Sequence, residues 1–179
     1  NDEGLTNTTG EGTLMRFDGT NWDTIGNAGF TAGIAHHSSF AIGPNGTYYF
    51  SYADGNNVSR AAVMMYNGTS WVSIGSSLSV GECQYSTIRV VNDTPYVAFI
   101  DNGNATVNVL KYDGTNWLPL GGGPVASTPA SYATLVTDNF DSLYVAYQDN
   151  GNGGKATVQK FNGTSWSIVG APFLSQTNG

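Results

Sequence analysis

Short runs of alternating apolar and polar residues, each closed by Gly, Asn or Asp, fill most of this chain. Residues 37–42, 47–52, 60–66 and 71–75 form one set of four, separated by Gly43-Pro44-Asn45-Gly46, Asp54-Gly55-Asn56-Asn57 and Asn67-Gly68. Alternation of period two predicts half-buried strands, and a turn signal every ~8–12 residues predicts an all-β fold. Lettered A to D, the same four strands recur over residues 85–90, 96–100, 106–112 and 117–121. They recur again over residues 132–137, 144–148, 156–161 and 166–170. Residues 13–17 and 22–26 match strands C and D alone. Equivalent positions keep their character: Tyr49, Tyr96 and Tyr144; Tyr52, Phe99 and Tyr147; Phe40, Ile88 and Leu135.

The C–D connection is the most regular feature. It reads Phe17-Asp18-Gly19-Thr20-Asn21-Trp22, Tyr66-Asn67-Gly68-Thr69-Ser70-Trp71, Tyr112-Asp113-Gly114-Thr115-Asn116-Trp117 and Phe161-Asn162-Gly163-Thr164-Ser165-Trp166. Asp-Gly or Asn-Gly between β-runs predicts a tight hairpin of the primed type, which needs positive φ. An aromatic before the turn and a Trp after it can pack across the hairpin. Trp22, Trp71, Trp117 and Trp166 are read as packing residues between units, with an exposed sugar-stacking platform as the alternative. Four strands per repeat, at a spacing of nearly fifty residues, predict β-propeller blades. The expected organisation is an irregular lead-in over residues 1–11 and one repeat domain over 12–179. That domain comprises a half blade (12–26) and full blades over 37–75, 85–121 and 132–170, about three and a half blades in all.

The stretches "KYDGTNWLPLG", "SLYVAYQDNGNGGKATVQKFNGTSW" and "YATLVTD" resemble the propeller-forming repeats of large secreted or cell-surface proteins, mostly bacterial, built of "YDGTNW…LG" and "YVAYxD" units. The resemblance covers essentially residues 12–170. It implies a propeller fold and an extracellular or surface setting, and brings no defined activity with it.

Composition narrows the partners. The net charge is −7, with only six Lys and Arg spread through the repeats, so no basic stripe exists to neutralise nucleic-acid phosphates. No apolar run is long enough for a membrane-spanning helix. Low charge with abundant Gly, Asn and Thr suits a secreted or surface protein. Candidate N-glycosylation sequons begin at Asn7, Asn45, Asn57, Asn67, Asn92, Asn104 and Asn162. Cys83 is the lone cysteine and has no nearby cation to activate it.

Two sets of repeated residues are candidates for chemistry. His37, Tyr85 and Tyr132 align at the start of strand A, near the expected central channel, with His36, Gln84 and Ser131 beside them. Aromatics there could stack on sugars while Gln84 and its equivalents bond hydroxyls; channel packing is the alternative. Adjacent His36 and His37 should point to opposite faces of a strand, which disfavours a shared metal. Asp54, Asp101 and Asp149 end strand B, followed by Asn56, Asn104 and Asn152. They read either as Asx-type caps of the B–C turn or as Ca²⁺ ligands with the amides as carbonyl donors. Arg16, Arg60 and Arg89 fall on strands of different units, so they do not read as one anion site.

Three functions follow. The first is a non-enzymatic structural or adhesive surface module, completed by self-association or by further blades of a parent protein. The second is a lectin-like propeller with repeated weak glycan sites, and the third a fragment of a propeller glycoside hydrolase. No cofactor is expected beyond the Ca²⁺ alternative. The exposed edge of the half blade is expected to pair with a strand from another chain or from a parent protein.

Overall fold

The computed structural model describes residues 10–76 and 78–170, which form an all-β propeller segment. The leading hairpin joins β1 (Met15–Phe17) and β2 (Trp22–Thr24). The first full unit holds β3 (Ala35–Ile42), β4 (Tyr48–Asp54), β5 (Arg60–Tyr66) and β6 (Trp71–Ser73). The second holds β7 (Cys83–Val91), β8 (Thr94–Asp101), β9 (Thr106–Tyr112) and β10 (Trp117–Pro119). The third holds β11 (Ala130–Thr137), β12 (Leu143–Asp149), β13 (Lys155–Phe161) and β14 (Trp166–Ile168). Each full unit is an antiparallel meander in chain order, so strands A to D run from one edge of the sheet to the other. The helical content of the described residues is two single 3₁₀ turns, Gly55–Asn57 and Asn150–Asn152, both just after strand B. Of the expected lead-in over residues 1–11, residues 1–9, Asn7 among them, lie outside the described residues, as do residues 77 and 171–179.

The C–D hairpins are built differently from a two-residue primed turn. The last strand pair is Phe17↔Trp22, leaving a four-residue loop in which Gly19 has φ +104°. Asp18 keeps an ordinary φ and uses its carboxylate instead: Thr20 N–H and Asn21 N–H donate to it at 2.7 and 2.8 Å. Asp113 repeats this with Thr115 and Asn116, at 2.8 and 2.7 Å. In the other two loops the Asn67 and Asn162 amide oxygens accept the corresponding pairs of backbone donors. Asp and Asn are therefore equivalent here because each offers one side-chain acceptor, the Asx-turn device.

The core lies between sheets rather than inside any of them. One cluster fills the seam between the first two full units, with Tyr49, Val63 and Ile74 meeting Ile88, Val97, Phe99 and Leu110. A second fills the next seam, where Ile100, Val107 and Val109 meet Leu135, Val145 and Tyr147. A smaller one, built on Phe50, Tyr52 and Met64, backs onto the leading hairpin. Among the described residues that hairpin supplies strands C and D and no A or B, and the effect is visible in the unit beside it. Ile88 and Leu135 are fully buried, whereas Phe40, at the same position of β3, is 53% exposed.

A repeated latch closes each seam on the outside. The Trp71 indole N–H donates to the Ile25 carbonyl at 2.7 Å, Trp117 to Ile74 at 2.8 Å, and Trp166 to Leu120 at 2.9 Å. Each indole lies over the glycine that follows its acceptor. A Cβ on Gly26, Gly75 or Gly121 would come within 3.0, 2.6 or 2.9 Å of the ring, and all three glycines have φ between +75° and +89°. Glycine is needed there on both counts, as a left-handed residue and as the floor of a close contact. Three of the four tryptophans are thus inter-unit packing residues with their polar atom satisfied, and Trp22 stands apart from them at 64% exposed.

Candidate functional site

At the opposite edge of each sheet, strand A starts with a β-bulge. The A–B register slips between His36 and Ser39, between Gln84 and Thr87, and between Ser131 and Thr134. The residue that absorbs each slip is in the left-handed region: His37 at φ +49°, Tyr85 at +53° and Tyr132 at +55°. A left-handed non-glycine residue is uncommon, and a bulky one carries strain of about 1–2 kcal/mol. Bulges of this kind re-aim a side chain out of the alternating pattern. Here they aim three rings at one another. The His37 and Tyr85 rings are 5.4 Å apart at 50°, and those of Tyr85 and Tyr132 are 4.8 Å apart at 48°. The result is a continuous aromatic row across three units, with Tyr85 in the middle and Tyr132 63% exposed at one end.

Hydroxyls tie the inner strands together just behind the row. Leu135 N–H donates to Thr87 Oγ1 at 3.0 Å across one seam, and Ile88 N–H to Ser39 Oγ at 3.4 Å across the other. Ser86 and Ser51 share a buried hydroxyl pair at 2.8 Å. The neighbours of the row differ among themselves: His36 is exposed, Gln84 half-buried, and Ser131 accepts from the Asn150 amide at 2.9 Å. Burial, and then the Tyr132 phenol beside it, raise the pKa of the Tyr85 phenol. It therefore stays a neutral hydrogen-bonding group throughout the physiological range. Beside Tyr132 lies a cleft of about 410 Å³ floored by Ala146, Gln148, Ala156 and Val158.

The aspartates ending strand B are engaged within their own units. Asp101, 3% exposed, accepts from the Val80, Gly81 and Gly103 N–H groups at 2.8–2.9 Å. Asp149 accepts from Thr128 Oγ1 at 2.8 Å and the Asn152 amide N–H at 2.9 Å, and Asp54 accepts from Asn56 N–H at 3.0 Å. Asp54 and Asp101 accept the N–H two residues on, the Asx-type cap of the B–C turn, whereas Asp149 bonds side chains alone; Asp101 and Asp149 also tie that turn to the segment leading into strand A. The amides expected to give carbonyl oxygens point elsewhere. Asn152 turns its N–H to the carboxylate, Asn56 turns its N–H to the Ala32 carbonyl, and Asn104 binds Thr106. No group of three His, Cys, Asp or Glu able to hold a metal occurs among the described residues. Cys83 is completely buried, and burial, then the charges of Asp101 and Glu82, push its thiol up to about 12.

The remaining candidates stay dispersed. Arg16, Arg60 and Arg89 sit on β1, β5 and β7 of different units, and Arg89 donates to the Ile88 carbonyl at 2.7 Å. Among the sequon asparagines, Asn45, Asn67, Asn92, Asn104 and Asn162 are exposed and Asn57 is half-buried. What alternation along the strands hides is the bulge. The strands begin earlier than residues 37, 85 and 132, at Ala35, Cys83 and Ala130, and the aligned rings mark the break rather than the start.

No protein-family model matches the chain, and no curated protein matches it by sequence. Solved structures do match in fold. Aleuria aurantia lectin in complex with Fucα1-6GlcNAc aligns with TM-score 0.61 and 19% identity over 93% of this chain and 54% of the lectin. The exo-β-1,3-galactanase of Phanerochaete chrysosporium aligns with TM-score 0.55 and 12% identity over 80% of this chain and 40% of the enzyme. A fucose lectin of Kordia zhangzhouensis aligns with TM-score 0.51 and 10% identity over 75% of this chain and 99% of the lectin chain. The chain therefore spans about half or less of the first two proteins and has a β-propeller fold in common with lectins and glycoside hydrolases.

Proposed function

We propose that this chain is a non-enzymatic carbohydrate-binding propeller module, and that the inner row of His37, Tyr85 and Tyr132 is where a glycan lies. The carrying observation is the repetition of a strained backbone. A left-handed aromatic or imidazole residue at the same place in three units is kept against its own conformational cost. What that strain obtains is a ridge of ring faces beside hydroxyl and amide groups, the combination that recognises a sugar's apolar face and its hydroxyls. Each ring offers a weak contact, and a glycan spanning several would gain by multivalency. The fucose lectins among the similar structures make the reading coherent with the fold, at identities that carry no residue roles across.

A hydrolase reading needs two free carboxyl groups flanking a bond. The buried carboxylates Asp101 and Asp149 are instead occupied by donors of their own turns. Glycan-array and calorimetric titration of the intact chain test the proposal. Binding that falls at least tenfold in Tyr85→Ala and Tyr132→Ala, with unfolding unchanged, is the expected result. Binding untouched by both variants, or turnover of galactan or arabinan oligosaccharides, would overturn it. A second reading, a structural role in a larger assembly, draws its support from the open seam beside Trp22.

A further inference from the structure

The two open sides of the described structure are complementary, and we infer that the chain binds a second copy of itself head to tail through a fourth copy of the tryptophan latch. The internal seams define both halves of that latch. One half is a clamp, an aromatic and a Trp facing each other across the C–D hairpin. Ring separations in the three seated clamps are 5.6 Å (Tyr66–Trp71), 5.1 Å (Tyr112–Trp117) and 5.3 Å (Phe161–Trp166). Phe17 and Trp22 stand 5.4 Å apart at 39°, the same arrangement, yet both are at least half exposed. Trp22 Nε1 has no acceptor among the described residues. Met15 lies exposed beside them, while Met64 and Leu110, its equivalents on β5 and β9, are buried.

The other half is a socket, a carbonyl followed by a left-handed glycine. Ile25, Ile74 and Leu120 present that carbonyl after their own N–H groups have donated to Leu14, Val63 and Val109. Val169 is held the same way, its N–H donating to the Val158 carbonyl at 2.9 Å. Gly170 follows with φ +76°, against +75°, +82° and +89° in the filled sockets. Val169 is 39% exposed, where Ile25 and Ile74 are 8% and 7%. Clamp and socket are thus each formed before they meet, so little ordering is lost on docking.

A clamp and a socket on opposite sides make a heterologous contact, which closes into a ring or extends as a filament.

Light scattering on the intact chain across a concentration series tests the inference without any glycan. The wild type should show a mass of two or more chains that grows with concentration. Trp22→Ala and Gly170→Val should each run as a single 18.8 kDa chain at the same concentrations, with association weakened by roughly thirtyfold or more, as expected for losing a buried aromatic anchor. Each variant keeps one working side, so an equimolar mixture should form a particle of two chains and nothing larger. Thermal unfolding at low concentration separates loss of docking from loss of fold. A wild type of constant single-chain mass would overturn the inference, as would variants that assemble like the wild type or a mixture that stays single.

Discussion

At the outer hairpins, Trp71, Trp117 and Trp166 each give their one polar hydrogen to a carbonyl and press on a glycine of the preceding unit. At the inner edge, Tyr85 and Tyr132 stand on left-handed backbone, with Tyr85 set between the His37 and Tyr132 rings and against the core of the second seam. Both sets are aromatic, and both recur once per unit, so recurrence by itself does not separate framework from binding surface. Hydrogen-bond satisfaction and backbone strain do. These three tryptophans are half-buried in the seams and have their one polar hydrogen bonded within the fold. The tyrosines hold a costly conformation, and Tyr132 leaves most of its ring to solvent.

Removing a latch should have the largest effect. Trp117→Ala takes out a ring packed in the seam and its hydrogen bond to Ile74, and should destabilise the fold by about 3–5 kcal/mol. Trp22→Ala, read at concentrations too low for self-association, should stay under about 1 kcal/mol. Urea unfolding of the two variants side by side measures the contrast, and equal losses would break it. The floor of the latch comes next. Gly75→Ala places a Cβ 2.6 Å from the Trp117 ring at φ +82°. Gly114→Ala meets only its φ of +100°, with open space around it. The first should cost about 2–3 kcal/mol and the second about 1 kcal/mol, a difference that isolates the contact from the backbone term.

The inner row should respond in the opposite sense. Tyr132→Gly relieves the left-handed strain while giving up one ring contact with Tyr85, two terms of about 1 kcal/mol that nearly cancel. Its midpoint of unfolding should therefore move little or rise slightly, whereas glycan binding should fall at least tenfold. A variant that unfolds as easily as Trp117→Ala would place Tyr132 with the framework residues.

The hairpin motif made the outer architecture legible, because Trp spacing, Asx acceptors and glycines sit at fixed offsets and act locally. Strand count and order follow from the same periodicity. The inner edge was harder to read. A bulge inserts one residue without changing composition, so His37, Tyr85 and Tyr132 align in the sequence while nothing there announces their positive φ. Their mutual contact depends on the approach of neighbouring sheets, a tertiary fact. Phe40 shows the same limit: it matches Ile88 and Leu135 in pattern and differs in burial because, among the described residues, the leading hairpin has no strands A and B beside it. Asp101 and Asp149 could be narrowed only to a cap or a cation ligand. Which donors surround a carboxylate is decided by the segment that packs over it, here Val80 and Gly81 for one and Thr128 for the other.

The smallest effect is one of pH, and it belongs to the outer hairpins. The Asn116 and then the Thr115 backbone N–H groups hold the Asp113 carboxyl below its usual range, and Asn21 and Thr20 do the same for Asp18. A carboxylate whose folded pKa is depressed contributes stability that is present above its unfolded value of 3.8 and lost as pH falls through the folded one. Asn67 and Asn162 make the same turns with an amide and have no such dependence. Replacing Asp113 by Asn should therefore leave the melting temperature nearly unchanged at pH 7 and raise it relative to the wild type near pH 2.5. Asp138 also titrates there: the Ser142 N–H foremost, then the Phe140 N–H and the Tyr144 hydroxyl, bring it down to about 2. The informative quantity is accordingly the difference between Asp113→Asn and wild type at each pH, not the acid limb of either alone. Glycan affinity, measured where both proteins remain folded, should be the same for the two. A variant that changed binding while keeping its stability would mean that the outer turns belong to the recognition surface, and that inner and outer aromatics do not divide as their hydrogen bonds indicate.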